Sequence, residues 1–228
     1  MIILGIDDTD MPNTPGTNQI ARKIAAALSP DYSCRFIVRH QLCDAPEIPC
    51  TSQNGSASLW FDAADSAADH IFTVACEILR QNFVEGSDPG VAITAHESLK
   101  VVEFAMRAKS TIVTQAEARG IATSCGIRLL GLGGTEGGVI GALAALGLAM
   151  HQNDGRIVQL GSHADRVGTI TVGELRWLGV NVVNESTDGQ VAHGVVDLVK
   201  KLRPNMRAGA PTLYVEATAN GWRALKRH

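Results

Sequence analysis

Three carboxylates stand within four residues, at Asp7, Asp8 and Asp10, directly after the apolar run Met1 to Ile6. Held so close they repel one another, which raises their pKa values or costs stability unless a cation joins them. Hard divalent ions such as Mg²⁺ prefer oxygen ligands, so the spacing favours a metal on Asp7, Asp8 and Asp10 over a plain Asp-rich turn. A few residues on, Pro15 and Gly16 lead into Thr17 at the head of a helical pattern. Thr17 can cap that helix, and the same place presents a hydroxyl and free backbone N–H groups to an anion. The cluster Gly131-Leu132-Gly133-Gly134-Thr135-Glu136-Gly137-Gly138 repeats this logic ahead of another helix, where closely spaced glycines let the backbone approach a ligand. It is no P-loop, since no Gly-Lys-Ser/Thr occurs, and it fails the dinucleotide fingerprint at Glu136. Asn54-Gly55-Ser56 and Ser87-Asp88-Pro89-Gly90 read either as turns or as ligand contacts, with Asp88 a further metal ligand or a base. None of the seven histidines falls in an HExxH spacing, and no G-x-S-x-G elbow is present.

Something must hold these groups in place. Met1 to Ile6 reads as a buried strand and Met11 to Gly16 as a loop. From Thr17, Ile20, Ile24 and Leu28 share one helical face, and Pro30 closes the helix. Strands are expected at 35–42 and 55–61, then a helix through Ala68, Ile71, Phe72, Ala75, Ile78 and Leu79 that Asp65 and Ser66 can cap. A short strand at 91–94, one or two helices over 99–123, a strand at 127–130 and an apolar helix at 139–150 follow. Beyond Asn153-Asp154-Gly155 the pattern turns strand-rich, at 157–161, 180–184 and 211–217, with a short helix near 172–178. The expected fold is a mixed α+β chain: an α/β lobe over 1–154 and a smaller lobe over 155–228.

Composition narrows the function classes. Hydrophobic residues make up 45% of the 228 and charged residues 19%, enough for a core and no case for disorder. A net charge of −3 excludes a generally basic surface that coats nucleic acid. Locally, residues 200–228 carry a net +6, from Lys200, Lys201, Arg203, Arg207, Arg223, Lys226 and Arg227 against Glu216. That segment reads as a solvated surface or as a patch for phosphate-rich ligands. Five cysteines at 34, 43, 50, 76 and 125 make neither a zinc site nor a disulfide framework. With no signal peptide and no run long enough to span a bilayer, a soluble protein of the reducing cytoplasm, without a membrane partner, is expected.

The run Gly5-Ile6-Asp7-Asp8-Thr9-Asp10 resembles the opening of the archaeal tRNA-Ile 2-agmatinylcytidine synthetases. Ile48-Pro49 with Asn54-Gly55, Asp88-Pro89-Gly90 and Gly138-Val139-Ile140-Gly141-Ala142-Leu143-Ala144-Ala145 resemble later segments of that family in the same order. Weaker echoes run through Arg166-Val167-Gly168-Thr169 and Pro211-Thr212-Leu213-Tyr214. The resemblance implies a kinase-like domain followed by a ferredoxin-like domain, with no counterpart here of the family's OB-fold and zinc ribbon. It also implies that ATP and Mg²⁺ bind, and that phosphoryl transfer turns a poor leaving oxygen into a good one. Thr17 lies where the family has a threonine that is phosphorylated. Gly137 stands where the family has an arginine, and Gln53 in a segment that is basic there.

The expectation is therefore an Mg²⁺- and ATP-dependent phosphotransferase or ligase-like enzyme that activates an unidentified acceptor, either tRNA or something smaller. Asp7, Asp8, Asp10 and Thr17 are its expected catalytic residues, and the three aspartates its metal ligands. Thr9, Gly16, Asn54, Gly55, Asp88, Gly137 and Gly138 are the expected nucleotide-binding residues. A non-catalytic nucleotide- or RNA-binding module is the alternative, and a haloacid-dehalogenase-like phosphatase a lesser one.

Overall fold

Alternation of side chains builds the first strand and decides what packs on each of its faces. In the computed structural model, which describes residues 1–48, 53–162 and 165–227, β1 spans Ile2–Asp7. Pro49 of the Ile48-Pro49 segment, and Cys50, lie outside the described residues. Ile2, Leu4 and Ile6 enter one core, while Ile3 faces the other side. Helix α1 (Thr17–Leu28) places Ile20, Ala21, Ile24, Ala25 and Leu28 against the first of these. Next come β2 (Ser33–Gln41), β3 (Gly55–Asp62) and α2 (Ala68–Gln81), whose Ile71, Phe72, Ala75 and Leu79 join the same core. Asp65 and Ser66 do not cap α2: they form a 3-10 turn before it, and Ala67 stands at its N-cap with no side-chain hydrogen bond.

The chain continues through β4 (Gly90–Thr94), α3 (Leu99–Ala108), α4 (Gln115–Ser124), β5 (Arg128–Gly131) and α5 (Val139–His151), of which the helices close the other face. The stretch read as one or two helices is two, with Thr114 accepting the Glu117 N–H at the N-cap of α4. Nearly every side of α5 is buried, which is what an all-apolar helix requires. It lies between the sheet and α3. Gly5 permits this: a Cβ there would stand 2.2 Å from the Ala142 carbonyl oxygen. With β6 (Arg156–Leu160) the strands run in the order β5-β4-β1-β3-β2-β6, every neighbouring pair antiparallel.

Past β6 the chain forms β7 (Val167–Thr171), α6 (Val172–Trp177), β8 (Asn181–Asn184), β9 (Gly189–Gln190), β10 (Val195–Lys201), β11 (Asn205–Arg207), β12 (Ala210–Thr218) and β13 (Gly221–Ala224). These extend the sheet beyond β6 in the order β11-β12-β13-β10-β7. β8 lies parallel to β12, and β10 parallel to β13. The fold is thus mixed α/β around one large mixed sheet. A separate core of Ile170, Val172, Leu175, Val196, Val215 and neighbours is built by this later stretch, with Leu160 of β6 packed against it.

Antiparallel pairing decides where functional groups gather. The C-terminal end of β1 meets the beginnings of β3 and β4, and Asp7 pairs with Gly90. Turns from three parts of the chain therefore share one end of the sheet, together with the first turns of α1 and α5.

Candidate functional site

At that end lies a cavity of about 280 Å³. Asp7, Asp8, Asp10, Thr17, Asn54, Gly55, Asp88 and Gly137, all singled out in the sequence, line it. Thr9, Gly16 and Gly138 do not line it: Thr9 and Gly138 are buried and Gly16 is half-buried beside it. Its ionisable lining among the described residues is Asp7, Asp8, Asp10, Glu47 and Asp88, with no Lys or Arg. The opposite wall is apolar: Leu42, Ala108, Ile112, Val113 and Ile140.

The acidic tip is shaped by Asp8, whose φ of 51° is left-handed, a conformation that costs a non-glycine residue roughly 1 kcal/mol. It reverses the chain so that Thr9 turns inward and Asp10 reaches the start of α1. Thr17 is not the N-cap of α1. Gly16 holds that position without a side-chain bond, and the Thr17 hydroxyl has another task. It donates to Asp10 Oδ1 at 3.1 Å and accepts from Thr9 Oγ1 at 3.2 Å. The buried Thr9 thus orients Thr17 from behind.

Asp7 lies against α5. A Cβ on Gly141 would stand 1.8 Å from Asp7 Oδ2, so only glycine at 141 lets the carboxylate and helix approach so closely. Burial, then the charge of Asp8 and that of Asp10, push the Asp7 pKa up to about 7, against a lowering hydrogen bond from the Asp8 backbone. Burial, with the charges of Asp88 and Asp10, raises Asp8 to about 6, although the Asp88 backbone N–H donates to it. Arg39 offsets the rise at Asp7 only in part, and carboxyls so perturbed mark a site that favours an added cation.

Asp88 and the glycine cluster form one unit. Asp88 Oδ1 accepts the Thr135 N–H at 2.8 Å, and Oδ2 accepts the Thr135 hydroxyl. The Asp88 carbonyl accepts the Gly138 N–H at 3.0 Å. This corrects the expectation that Gly138 offers its amide to an anion: the donor is already committed. The next two amides, Val139 and Ile140, donate to the Glu136 and Gly137 carbonyls. Gly137 remains at the cavity wall.

On the third side, Asn54 Nδ2 donates to the Cys43 carbonyl at 2.8 Å while the Asn54 carbonyl accepts from Leu42 N and Gln41 Nε2. Asn54 therefore ties the β2 and β3 ends together, and only its exposed edge faces the cavity. Gly55 makes room for Arg39, whose guanidinium lies 2.7 Å from where a Cβ would stand.

The expected three-aspartate metal centre is not preformed. Among the described residues no three His, Cys, Asp or Glu side chains are grouped to hold a metal ion. The physical reason is that each aspartate has a different neighbour: Gly141 for Asp7, the Asp88 amide for Asp8, Thr17 for Asp10. The donor set nevertheless fits Mg²⁺ arriving with a ligand, since Mg²⁺ is usually held by one or two carboxylates plus substrate phosphates and waters. Asp7 and Asp8, with raised pKa values, are the two adjacent carboxyls of that kind at the cavity.

Sequence reasoning missed Gly141, Glu47, Thr135 and the apolar wall over 108–113. Gly141 looks like ordinary packing within an Ala-rich helix, and the wall residues acquire their role only because α3 ends beside β2. The basic C-terminal segment resolves differently from a free patch: Lys201 and Arg203 pair with Asp165, Arg223 with Glu216, and Arg227 with Glu185.

No model of a known protein family matches the chain. An uncharacterized protein of Methanocaldococcus jannaschii is 29% identical over 155 residues, covering 67% of this chain and 51% of its own length. The tRNA(Ile2) 2-agmatinylcytidine synthetase TiaS of Pyrococcus horikoshii is 29% identical over 159 residues, covering 66% of this chain and 36% of its own. Among solved structures, the complex of TiaS with tRNA(Ile2) and ATP is 26% identical with a TM-score of 0.57, over 64% of this chain and 36% of that one. A tRNA fluorescent labeling enzyme matches with the same identity and TM-score, over 64% of this chain and 35% of that one. The match thus spans about half the length of the first relative and about a third of the others. The chain is a distant homologue of part of TiaS.

Proposed function

We propose that this chain is an Mg²⁺- and ATP-dependent enzyme of the phosphotransferase or ligase type, which activates an acceptor oxygen by phosphorylation. The observation that carries this reading is that Asp7, Asp8, Asp10 and Thr17 converge with Asp88 and Gly137 on one cavity, whose charged lining among the described residues is all acidic. Its distant relative TiaS has been solved with ATP bound, which supports a nucleotide here. Asp7 and Asp8 would hold Mg²⁺ together with the nucleotide's phosphates; the bound ion supplies neutralisation of charge on the transferring phosphoryl group. The apolar wall of Leu42, Ile112, Val113 and Ile140 takes the base and excludes water. Glu47 and Asp88 add negative charge that favours the cation-loaded nucleotide over the free one.

Asp10 and Thr17 do the proton work. The Thr17 hydroxyl already donates to Asp10 Oδ1. When Thr17 Oγ1 takes the γ-phosphoryl group its proton passes to Asp10, the bond from the γ-phosphorus to the bridging oxygen breaks, and ADP leaves. Transfer onward to the acceptor oxygen breaks the bond between Thr17 Oγ1 and phosphorus, and Asp10 returns the proton to Oγ1. We also read residues 1–154 as the kinase-like unit and 155–228 as a ferredoxin-like one, with β6 the strand that joins them. The separate core within the later stretch supports that division.

Isothermal titration with ATP in the presence of Mg²⁺ tests the reading, alongside mass spectrometry of protein incubated with ATP. Wild type is expected to bind, Asp8→Ala to lose at least about tenfold in affinity, and Thr17→Ala to show no phosphate adduct. Absence of binding to wild type, or full affinity in Asp8→Ala, overturns it.

A further inference from the structure

Arg39 of β2 and Arg156 of β6 are direct cross-strand partners. Ile37, two residues before Arg39, packs with α1, and Ile157, next to Arg156, packs on the opposite face. Both arginines therefore leave the sheet on the α1 side. Like charges facing each other on one sheet face are destabilising. Among the described residues neither one has a carboxylate within ion-pair distance. Arg39 is held by neutral amides instead, Nη2 donating to Gln41 Oε1 at 3.0 Å and to Gln53 Oε1 at 3.1 Å. Arg203, which also repels Arg156, spends its own charge on Asp165. Burial and the charge of Arg156 lower the Arg39 pKa against the pull of Asp7, and burial and Arg203 lower that of Arg156, yet a guanidinium keeps its charge.

The pair adjoins the acidic cavity, because Gln53 and Gly55 both line it and Arg39 packs against Gly55. Two arginines at facing positions of neighbouring strands can together donate to the oxygens of one phosphate, Arg39 with the N–H groups that its glutamines leave over. We propose that Arg39 and Arg156 seat a phosphate group of the acceptor, beside the cavity that receives MgATP, so that the acceptor is a phosphate ester. This rests on the phosphotransferase reading only in assigning the neighbouring cavity to the nucleotide. The phosphate can belong to a free nucleotide or to an RNA chain, and the two arms of the test separate these.

Uridine 5′-monophosphate and a short oligouridylate are titrated into the full chain, alone and with Mg²⁺ and a non-hydrolysable ATP analogue. At least one probe is expected to bind wild type, and Arg156→Gln to weaken it by about tenfold or more. Arg39→Gln follows suit, Arg156→Lys loses less, and Arg223→Gln, far from the seat, changes nothing. Affinity for the ATP analogue stays within about twofold in Arg156→Gln. Binding of both probes assigns the seat to the ester itself; binding of the oligouridylate alone assigns it to RNA. The proposal is overturned when neither probe binds wild type, when Arg156→Gln binds as wild type does, or when it weakens the ATP analogue as much as the probe. Loss of ATP binding in wild type with Arg156-dependent probe binding retained removes the phosphotransferase reading and leaves the seat standing.

Discussion

Asp7 is kept at a thermodynamic cost to the empty protein. Its folded-state pKa, about 7 through burial and the charges of Asp8 and Asp10, lies above its unfolded value. Ionising it therefore disfavours the folded state, and stability falls as pH rises from about 4 to about 7. Asp7→Asn is expected to remove that slope and to stabilise the metal-free protein at pH 7 by about 2–4 kcal/mol, while abolishing MgATP binding. Urea denaturation at pH 5 and pH 7 measures the first effect; a mutant less stable than wild type at pH 7 contradicts it. Gly141 is the partner position. Gly141→Ala would place a Cβ on the Asp7 carboxylate, so a loss of roughly 1–3 kcal/mol is expected from overpacking. Nucleotide affinity should drop beyond what the stability change explains, and unchanged affinity would refute the contact's role.

Between strands and helices, the apolar wall depends on a buried polar knot. His40 on β2 joins Asp154 at 2.9 Å and Ser58 of β3 at 2.8 Å, the Trp60 indole donates to Ser58 at 3.0 Å, and Lys109 pairs with Asp154. Lys109 follows α3 directly, so the knot anchors the segment that carries Thr111, Ile112 and Val113 to the cavity. Burial opposes ionisation of Asp154, but His40 and Lys109 prevail and hold its pKa down to about 2. The stability this contributes is full above about pH 4 and is lost as pH falls toward 2. Asp154→Ala is expected to cost about 3–5 kcal/mol, to flatten the acid limb of the pH–stability curve, and to weaken ATP binding through a displaced wall. An acid limb identical to wild type would sink the assignment. Elements of this kind were legible where an apolar pattern was strong: β1, α1, α2 and α5 stand within a residue or two of expectation. β9, β11 and β13 left little trace because they are short, and β7 because four of its five residues are exposed; in β10 the exposed Val195 and Val199 blur the alternation that buried Val196 and Leu198 set up. The acids at the tip of β1 were legible because carboxylates after a buried strand are chemically odd. Gly141, Arg39 and His40 were not, since each takes its role from a partner distant in sequence.

On the scale of the whole chain, one carboxylate draws the later strands toward α1. Asp165 accepts from Arg203 at 2.8 Å and from Lys201 at 2.9 Å, and stands 3.4 Å from Arg22 of α1, which also donates to the Val158 carbonyl of β6. The Arg203 and Lys201 hydrogen bonds hold its pKa well below the usual carboxylate range. Asp165→Ala is expected to cost only about 1–2 kcal/mol, because the cluster is partly solvated. Its sharper mark would be faster proteolysis between β6 and β7 in the native state, and a digestion pattern like that of wild type would contradict it. A different consequence follows from the antiparallel course of β1. Its tip is walled by residues drawn from 7–17, 47–48, 53–55, 88, 108–113 and 135–141, stretches far apart in the chain. No subset of those stretches encloses anything, so a half-folded molecule has no weakened version of the binding site, only none. Ligand occupancy during refolding should rise with the last element to dock and trail the recovery of helical signal.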